Sequence, residues 1–447
     1  MSQPTAHLKK VLKPIHLWAI AVGLVISGEY FGWNYGWGVA GTIGFLIATA
    51  IVTILYVTFI FSYTELTAAI PHAGGPFAYS YKAFGPVGGF IAGYATLVEF
   101  LLAPPAIAFA LGSYVHFLYP AITVIPVAIG GYVVFTLINL LGIKESAVFT
   151  LIVTILAVVE LLLFMSIVAP HFEMKNFMSH PMPFGFAGVF AALPFAIWFY
   201  LAIEGVAMVA EEVDDPQRNI PKGYIYGIAT LVFLALGVMF FTGGITDSNK
   251  LSNIDYPLPE SISIVLGKNN SWTNIFAGIG LFGLIASFHG IIISYSRQLF
   301  AMARVGYLPS FLSKVHPKFQ TPHWALIVGG LIGIIALLTG STDKVIIISA
   351  IGAVVLYISS MLSLFMLRKR SPELHRPFKT PFYPYFPAIA LVLSVVCLLS
   401  IVWYNIMLAG IFFGGLIVAV AIFILSGVHK QELKDELLVD LIKTTDD

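Results

Sequence analysis

The chain has 447 residues, of which 59% are hydrophobic and 10% charged, and its mean hydropathy is +0.93. Such a composition excludes a soluble globular protein and indicates a polytopic membrane protein, which its long apolar runs make all-α. The net charge of +1 identifies no partner, no nucleic acid is expected, and the single cysteine, Cys397, excludes an intramolecular disulfide framework and a cysteine-built metal site.

A membrane span needs about 20 mainly apolar residues, and about twelve such runs are separated by polar or Pro/Gly-rich breaks. In the first half they cover 15–39, 43–70, 87–118, 122–141 and 147–169. In the second they cover 186–210, 223–245, 272–303, 324–339 and 345–367, followed by 388–404 and 406–428. The first run follows a basic segment but lacks a clean small-x-small cleavage site, so it is expected to be retained. With an even span count and the N-terminus inside, all of the 23 basic residues except Lys175, Lys250, Lys268 and Lys344 fall on the cytoplasmic side. That asymmetry predicts cytoplasmic termini. The organisation expected is a terminal segment (1–14), two five-span halves (15–170 and 186–367), a cytoplasmic loop (368–387), two further spans (388–428) and a tail (429–447).

The first run contains Ser27-Gly28-Glu29-Tyr30-Phe31-Gly32-Trp33-Asn34. Glycines flanking a carboxylate are poor material for a simple anchor. Non-helical backbone at membrane depth persists only where protein or a water-filled cavity satisfies it, so a helix break at Gly28 with Glu29 as the floor of a binding site is expected.

The second run leads into Glu65-Leu66, Pro71, Gly74-Gly75-Pro76-Phe77 and Ala83-Phe84-Gly85-Pro86. This series resembles the cytoplasmic signature of the amino acid-polyamine-organocation transporter superfamily. Gly74, Gly75 and Pro76 suit a tight turn at the water boundary, and Glu65 reads most simply as a solvated or capping carboxylate.

Glu99 lies about 18 Å into the third span if that helix is regular, which is mid-membrane depth. It is either a proton carrier or amine ligand, or a neutral acid hydrogen-bonded across helices. Glu160 interrupts the apolar fifth span. Sodium-independent relatives often carry a cationic group in that span, whereas here Lys144 stands only at its cytoplasmic end, so the resemblance leaves the coupling ion open.

The sixth span carries Trp198-Phe199-Tyr200-Leu201-Ala202-Ile203-Glu204, then Ala210-Glu211-Glu212 and Pro216-Gln217-Arg218-Asn219-Ile220-Pro221. It is similar to the superfamily's aromatic-rich discontinuous helix and its exit motif. Glu211 and Glu212 are expected to pair with basic residues at the interface, while Glu204 sits about two turns deeper. Breaks near Gly28 and Ala202 begin two five-span halves, the pattern of an inverted repeat with its site at the midplane.

Gly278-Ile279-Gly280-Leu281-Phe282-Gly283 in the eighth span matches the dinucleotide fingerprint only formally, because no strand precedes it. Small residues there suit close helix packing. His289 is either a proton relay or a satisfied packing histidine. The exit, Ser296-Arg297 and Met302-Ala303-Arg304-Val305-Gly306-Tyr307-Leu308-Pro309, again resembles the superfamily, and the sequon at Asn269 is merely permitted by an external loop.

Amino-acid carriers of this superfamily bind a substrate carboxylate on backbone amides at a small-Gly-x-Gly motif in the first break. Here Ser27-Gly28-Glu29 occupies that motif, and Glu29 would repel a carboxylate by several kcal/mol in a low-dielectric site, an order-of-magnitude figure. Trp33, Trp198 and Tyr200 offer π faces worth about 0.5–2 kcal/mol each to an ammonium group, or else serve packing and gating. Within the superfamily, the stretch from Ile26 to Asn34 most resembles the ethanolamine permease branch.

The resemblance therefore implies a secondary transporter for a small organic amine, driven by a coupling proton or a counter-substrate. Its lipid environment is the plasma or inner membrane, and it needs no cofactor or metal. The substrate-binding candidates are Ser27, Gly28, Glu29, Trp33, Glu99, Trp198, Tyr200, Ala202 and Glu204. The proton-coupling candidates are Glu99, Glu160, Glu204 and His289. A cationic amino-acid or polyamine exchanger is the alternative within this class. A membrane enzyme lacks support, since no His-Glu-x-x-His or Walker A pattern occurs, and a channel would be separated by the absence of saturable, coupled flux.

Overall fold

A computed structural model describes residues 10–141, 146–268, 270–339 and 341–431. Lys144, the sequon residue Asn269 and the tail beyond residue 431 lie outside the described residues. Nine helices among those described are long and apolar enough to cross a membrane. Three shorter apolar helices, Pro14–Tyr30, Val124–Leu140 and His323–Leu338, coincide with the first, fourth and ninth expected spans. The architecture of the described residues is that of an all-α polytopic membrane protein.

Two boundaries are marked by glycine rather than by a loop. The helix Tyr35–Ala69 joins the end of the first span to the second across Gly41, and Pro76–Leu118 joins a short approach segment to the third span across Gly85. Gly41 has φ +69° and Gly85 has φ +77°, values that a side chain would strain, so glycine lets the chain turn at each. Short helices absent from the sequence expectation, Met174–Phe177 and Pro257–Leu266, lie in the connections after the fifth and seventh spans.

The third and tenth spans (Thr342–Arg370) share the broadest contact, and the third also packs on the eighth (Ser271–Arg304). The first span leans on the seventh (Pro216–Gly243) and the fifth (Ser146–Val168). Spans one, three, six, eight and ten thus surround the middle of the bundle. Large apolar side chains face outward on the fourth, fifth and last two spans, for example Leu137, Leu163, Trp403, Met407 and Leu425. Exposed apolar bands of this extent fit a lipid-facing surface.

Glu65 differs from its expected role at a solvated helix end. It is 1% exposed and binds Arg368 through two hydrogen bonds of 2.8 and 2.6 Å. Arg376 lies at 3.2 Å and the Thr380 amide donates at 2.8 Å. One guanidinium group arrives from the last turn of the tenth span and one from the segment after it, both over 300 residues away, a pairing that no local pattern encodes. The expectation for Glu211 and Glu212 holds, with Arg304 at 3.0 Å from the former and Arg297 at 2.7 Å from the latter.

Candidate functional site

The first break is displaced from the position expected at Gly28. After Pro14–Val25 the chain keeps right-handed helical geometry through Ile26 and a further turn, Ser27–Tyr30. The helix opens only at residues 31–34, where Phe31 is fully extended and Gly32 takes φ +90°. Gly28 serves close approach instead: a Cβ there would overlap the Trp198 carbonyl oxygen. One on Gly32 would overlap the Trp198 indole nitrogen. The two broken spans therefore cross in direct contact, which requires glycine on one side.

The sixth-span break falls where it was expected. Helix Leu193–Trp198 ends, residues 199–202 turn, and Ala202 adopts φ +78°, an unusual state for a residue with a Cβ. The chain continues as a ten-residue 3-10 helix, Ile203–Glu212. Such length is uncommon for that geometry, which usually persists for three or four residues.

Around the first break the backbone donors are mostly engaged. The Ser27 amide donates to Ser287 Oγ at 2.9 Å, and that hydroxyl donates to the Gly23 carbonyl at 2.7 Å. The Glu29 amide donates to the Ile26 carbonyl and the Phe31 amide to Ser27. Carboxylate capture on these amides, which the resemblance implies for amino-acid carriers, would have to displace such partners.

Glu29 is completely buried, and neither carboxyl oxygen has a hydrogen-bond partner in the protein. Its surroundings are aromatic. Tyr200 lies within electrostatic range and holds Thr53 Oγ1 at 2.7 Å through its hydroxyl. Trp198 meets Phe31 edge-on at 5.6 Å between centroids, and its indole N–H is unpartnered. Trp33 packs on Phe199 at 5.5 Å and donates its indole N–H to the Glu29 carbonyl at 3.1 Å. Trp33 thus braces the break.

Glu99 and Glu204 form a second acidic locus. Both are completely buried, and their carboxyl groups face each other, with the Ala202 backbone adjoining Glu99. Tyr357 of the tenth span donates to Glu204 Oε2 at 3.4 Å and shares a 2.7 Å hydrogen bond with Tyr56. Among the described residues neither acid forms an ion pair. Two facing carboxyl groups without a cation are compatible with burial only when a proton or an ammonium group lies between them.

The other two titratable candidates occupy different surroundings. Tyr30 donates to Glu160 Oε2 at 2.6 Å, and Tyr114 donates to the Tyr30 carbonyl at 3.3 Å. Glu160 therefore ties the fifth span to the first break. His289 meets Asn139 at 3.1 Å and the rings of Phe135 and Phe149, away from the Glu99–Glu204 pair. Tyr56, Tyr357, Thr53 and Ser287 were missed from sequence. Each is a polar residue on an otherwise apolar span, a signal visible only when its depth relative to the two breaks is considered.

A cleft lined by Leu24, Thr150, Val209, Glu212, Gly290 and Arg297 opens between the first, fifth, sixth and eighth spans. Leu24 also borders a tighter space beside Ser27, Trp198, Leu201 and Ile291. The Glu212–Arg297 pair stands at the outer part of this approach, and the apolar Leu24 stands at the inner part.

Two crossing broken helices and the buried acids beside them place the candidate site within the bundle. The chain belongs to the amino acid permease family, whose model matches residues 12–430. It is 29% identical over 86% of its length to an uncharacterised transporter of Rhizobium meliloti (strain 1021), covering 85% of that protein. It is 28% identical to a branched-chain amino acid permease of Bacillus subtilis (strain 168), covering 89% of this chain and 90% of that one. A methylthioribose transporter of the same organism is 26% identical, with 93% and 92% covered. The protein is accordingly a membrane transporter and not an enzyme.

Proposed function

We propose that the protein carries a small organic amine, with ethanolamine the first substrate to test, by alternating access. The observation that carries this reading is the buried, unpartnered Glu29 carboxylate at the crossing of the two broken spans. An ammonium group satisfies it, whereas a substrate carboxylate would meet like charge and amides already engaged. Trp198 and Tyr200 supply π faces. The relative named for methylthioribose supports a family range beyond amino acids.

Accumulation against a gradient is driven by a proton or by exchange for an internal amine. The two halves, residues 15–170 and 186–367, rock about the shared site, and both termini lie on the cytoplasmic side of the plasma or inner membrane. The substrate and the coupling proton oppose each other, because either neutralises the buried carboxylates. Glu204, Glu99, Glu160 and His289 remain the groups through which that opposition acts.

The family name and the relative named a branched-chain amino acid permease point to amino-acid substrates, and the second reading is exchange of a cationic amino acid or polyamine. Radiolabelled ethanolamine uptake into proteoliposomes, with and without a pH gradient, sodium and internal amine, separates the two. Saturable ethanolamine uptake that arginine and lysine fail to compete supports the first. Uptake of lysine with none of ethanolamine replaces it with the second.

A further inference from the structure

Four buried hydroxyl groups stand between the Glu99–Glu204 pair and the end of the bundle that carries the N-terminal segment. Tyr224 of the seventh span donates to the Glu204 carbonyl at 3.2 Å and also faces Thr67 of the second span. Tyr79, at the approach to the third span, faces both Thr67 and Tyr63. The Tyr63 ring lies 5.6 Å from that of Tyr79 and 6.0 Å from that of Tyr224. All four residues are completely buried.

Packing alone does not explain these hydroxyls. The Tyr63 and Tyr79 hydroxyls make no hydrogen bond of regular geometry, a costly state that phenylalanine would avoid while preserving the ring contacts. Tyr63 and Tyr224 both lie within electrostatic range of the Glu204 carboxyl, and Tyr63 also senses Glu99. On the far side of Glu204 the titratable neighbours are Tyr357 and Tyr56. At the outer end the cluster reaches the glycine turn: a Cβ on Gly75 would stand 3.4 Å from the Tyr63 hydroxyl. Beside that turn, His72 and Glu211 gather around Arg304, which is partly exposed.

We propose that Tyr63, Thr67, Tyr79 and Tyr224 form a proton route to Glu204 that is separate from the substrate cleft. The cleft runs between the first, fifth, sixth and eighth spans, whereas the hydroxyls belong to the second, third and seventh. A proton entering at the glycine turn binds one hydroxyl oxygen as that hydroxyl passes its own proton onward. Each hydroxyl ends the transfer with one proton, and only the terminal carboxylate gains one. The transfer requires the Tyr224 hydroxyl to turn from the Glu204 backbone carbonyl toward its carboxyl, and the route lies outside the cleft.

This inference rests on the proton-coupled form of the proposed function. The test uses full-length protein in liposomes containing a pH-sensitive dye, with ethanolamine as the probe. Proton movement per ethanolamine and ethanolamine counterflow are measured for the parent, for Tyr63→Phe/Tyr79→Phe, and for the half-buried control Tyr81→Phe. The double variant is expected to slow proton movement about tenfold while counterflow and the control stay near parent values, since one hydroxyl relay is worth at least that factor. A coupled parent with undiminished proton movement in the double variant overturns the route and leaves the transport reading standing. Equal loss of counterflow and proton movement also overturns it, making the hydroxyls structural. A parent with ethanolamine counterflow but no proton movement overturns proton coupling, and the route with it.

Discussion

Gly28 presses its main chain against the Trp198 carbonyl so closely that a methyl group has no room between them. The contact involves backbone on the opposing side, which cannot rotate away like a flexible side chain. Gly28→Ala is therefore expected to push the two broken spans apart at the substrate site and reduce uptake at least tenfold, with overpacking that costs about 1–3 kcal/mol. Gly130→Ala, where a Cβ meets nothing within 4 Å, serves as the matched control. Parent-like uptake by Gly28→Ala would show that the crossing is not held at this distance during transport.

Glu29→Gln removes the charge while keeping the shape. Amine binding is expected to weaken at least tenfold, about 1.4 kcal/mol, in a protein that elutes and melts like the parent. Equilibrium binding of labelled ethanolamine in detergent reads this directly, and unchanged affinity would remove Glu29 from recognition.

Trp198→Leu retains apolar bulk but loses the strongest π face. A cation–π contribution predicts a larger loss for ethanolamine than for neutral ethylene glycol, each followed by competition against labelled substrate. Equal losses would assign Trp198 to packing alone.

Glu204→Gln replaces a group that exchanges protons with one that is permanently neutral and of similar size. Transport should lose most of its pH dependence, while substrate binding is partly kept because Glu29 is untouched. A parent-like pH profile and proton-driven accumulation would move the coupling role to Glu99, Glu160 or His289.

Outside the spans, Asp255 accepts from Tyr35 at 2.7 Å and from Thr342 at 2.9 Å, and burial raises its carboxyl above the usual aspartate range. Its ionised form is therefore disfavoured by folding, so its contribution to stability is fully present below the unfolded value and falls as pH rises through the folded one. Asp255→Asn should remove that decline. Melting midpoints of both proteins across the acidic range provide the check, and parallel curves would discount Asp255.

The span pattern was legible because runs of apolar residues are a local property, and the sixth-span break because aromatic and acidic residues concentrate around it. The first break was read too early: Gly28 and Gly32 look alike in sequence, yet one accommodates a neighbour and the other supplies a left-handed dihedral. The partners of Glu65 and the Tyr56–Tyr357 link were illegible because they join residues about 300 positions apart. Glu99 and Glu204 could each be singled out from depth, but their facing arrangement depends on how the third and sixth spans pack.

The 3-10 winding of Ile203–Glu212 also sets a length scale for motion. Ten residues in this form extend about 20 Å, against about 15 Å as an α-helix. Rewinding would draw the Glu211 and Glu212 end toward Glu204 by about 5 Å, roughly one α-helical pitch. Arg297 and Arg304 would then have to follow or let go. Such a change of helical gauge at the midplane would become a displacement at the membrane surface.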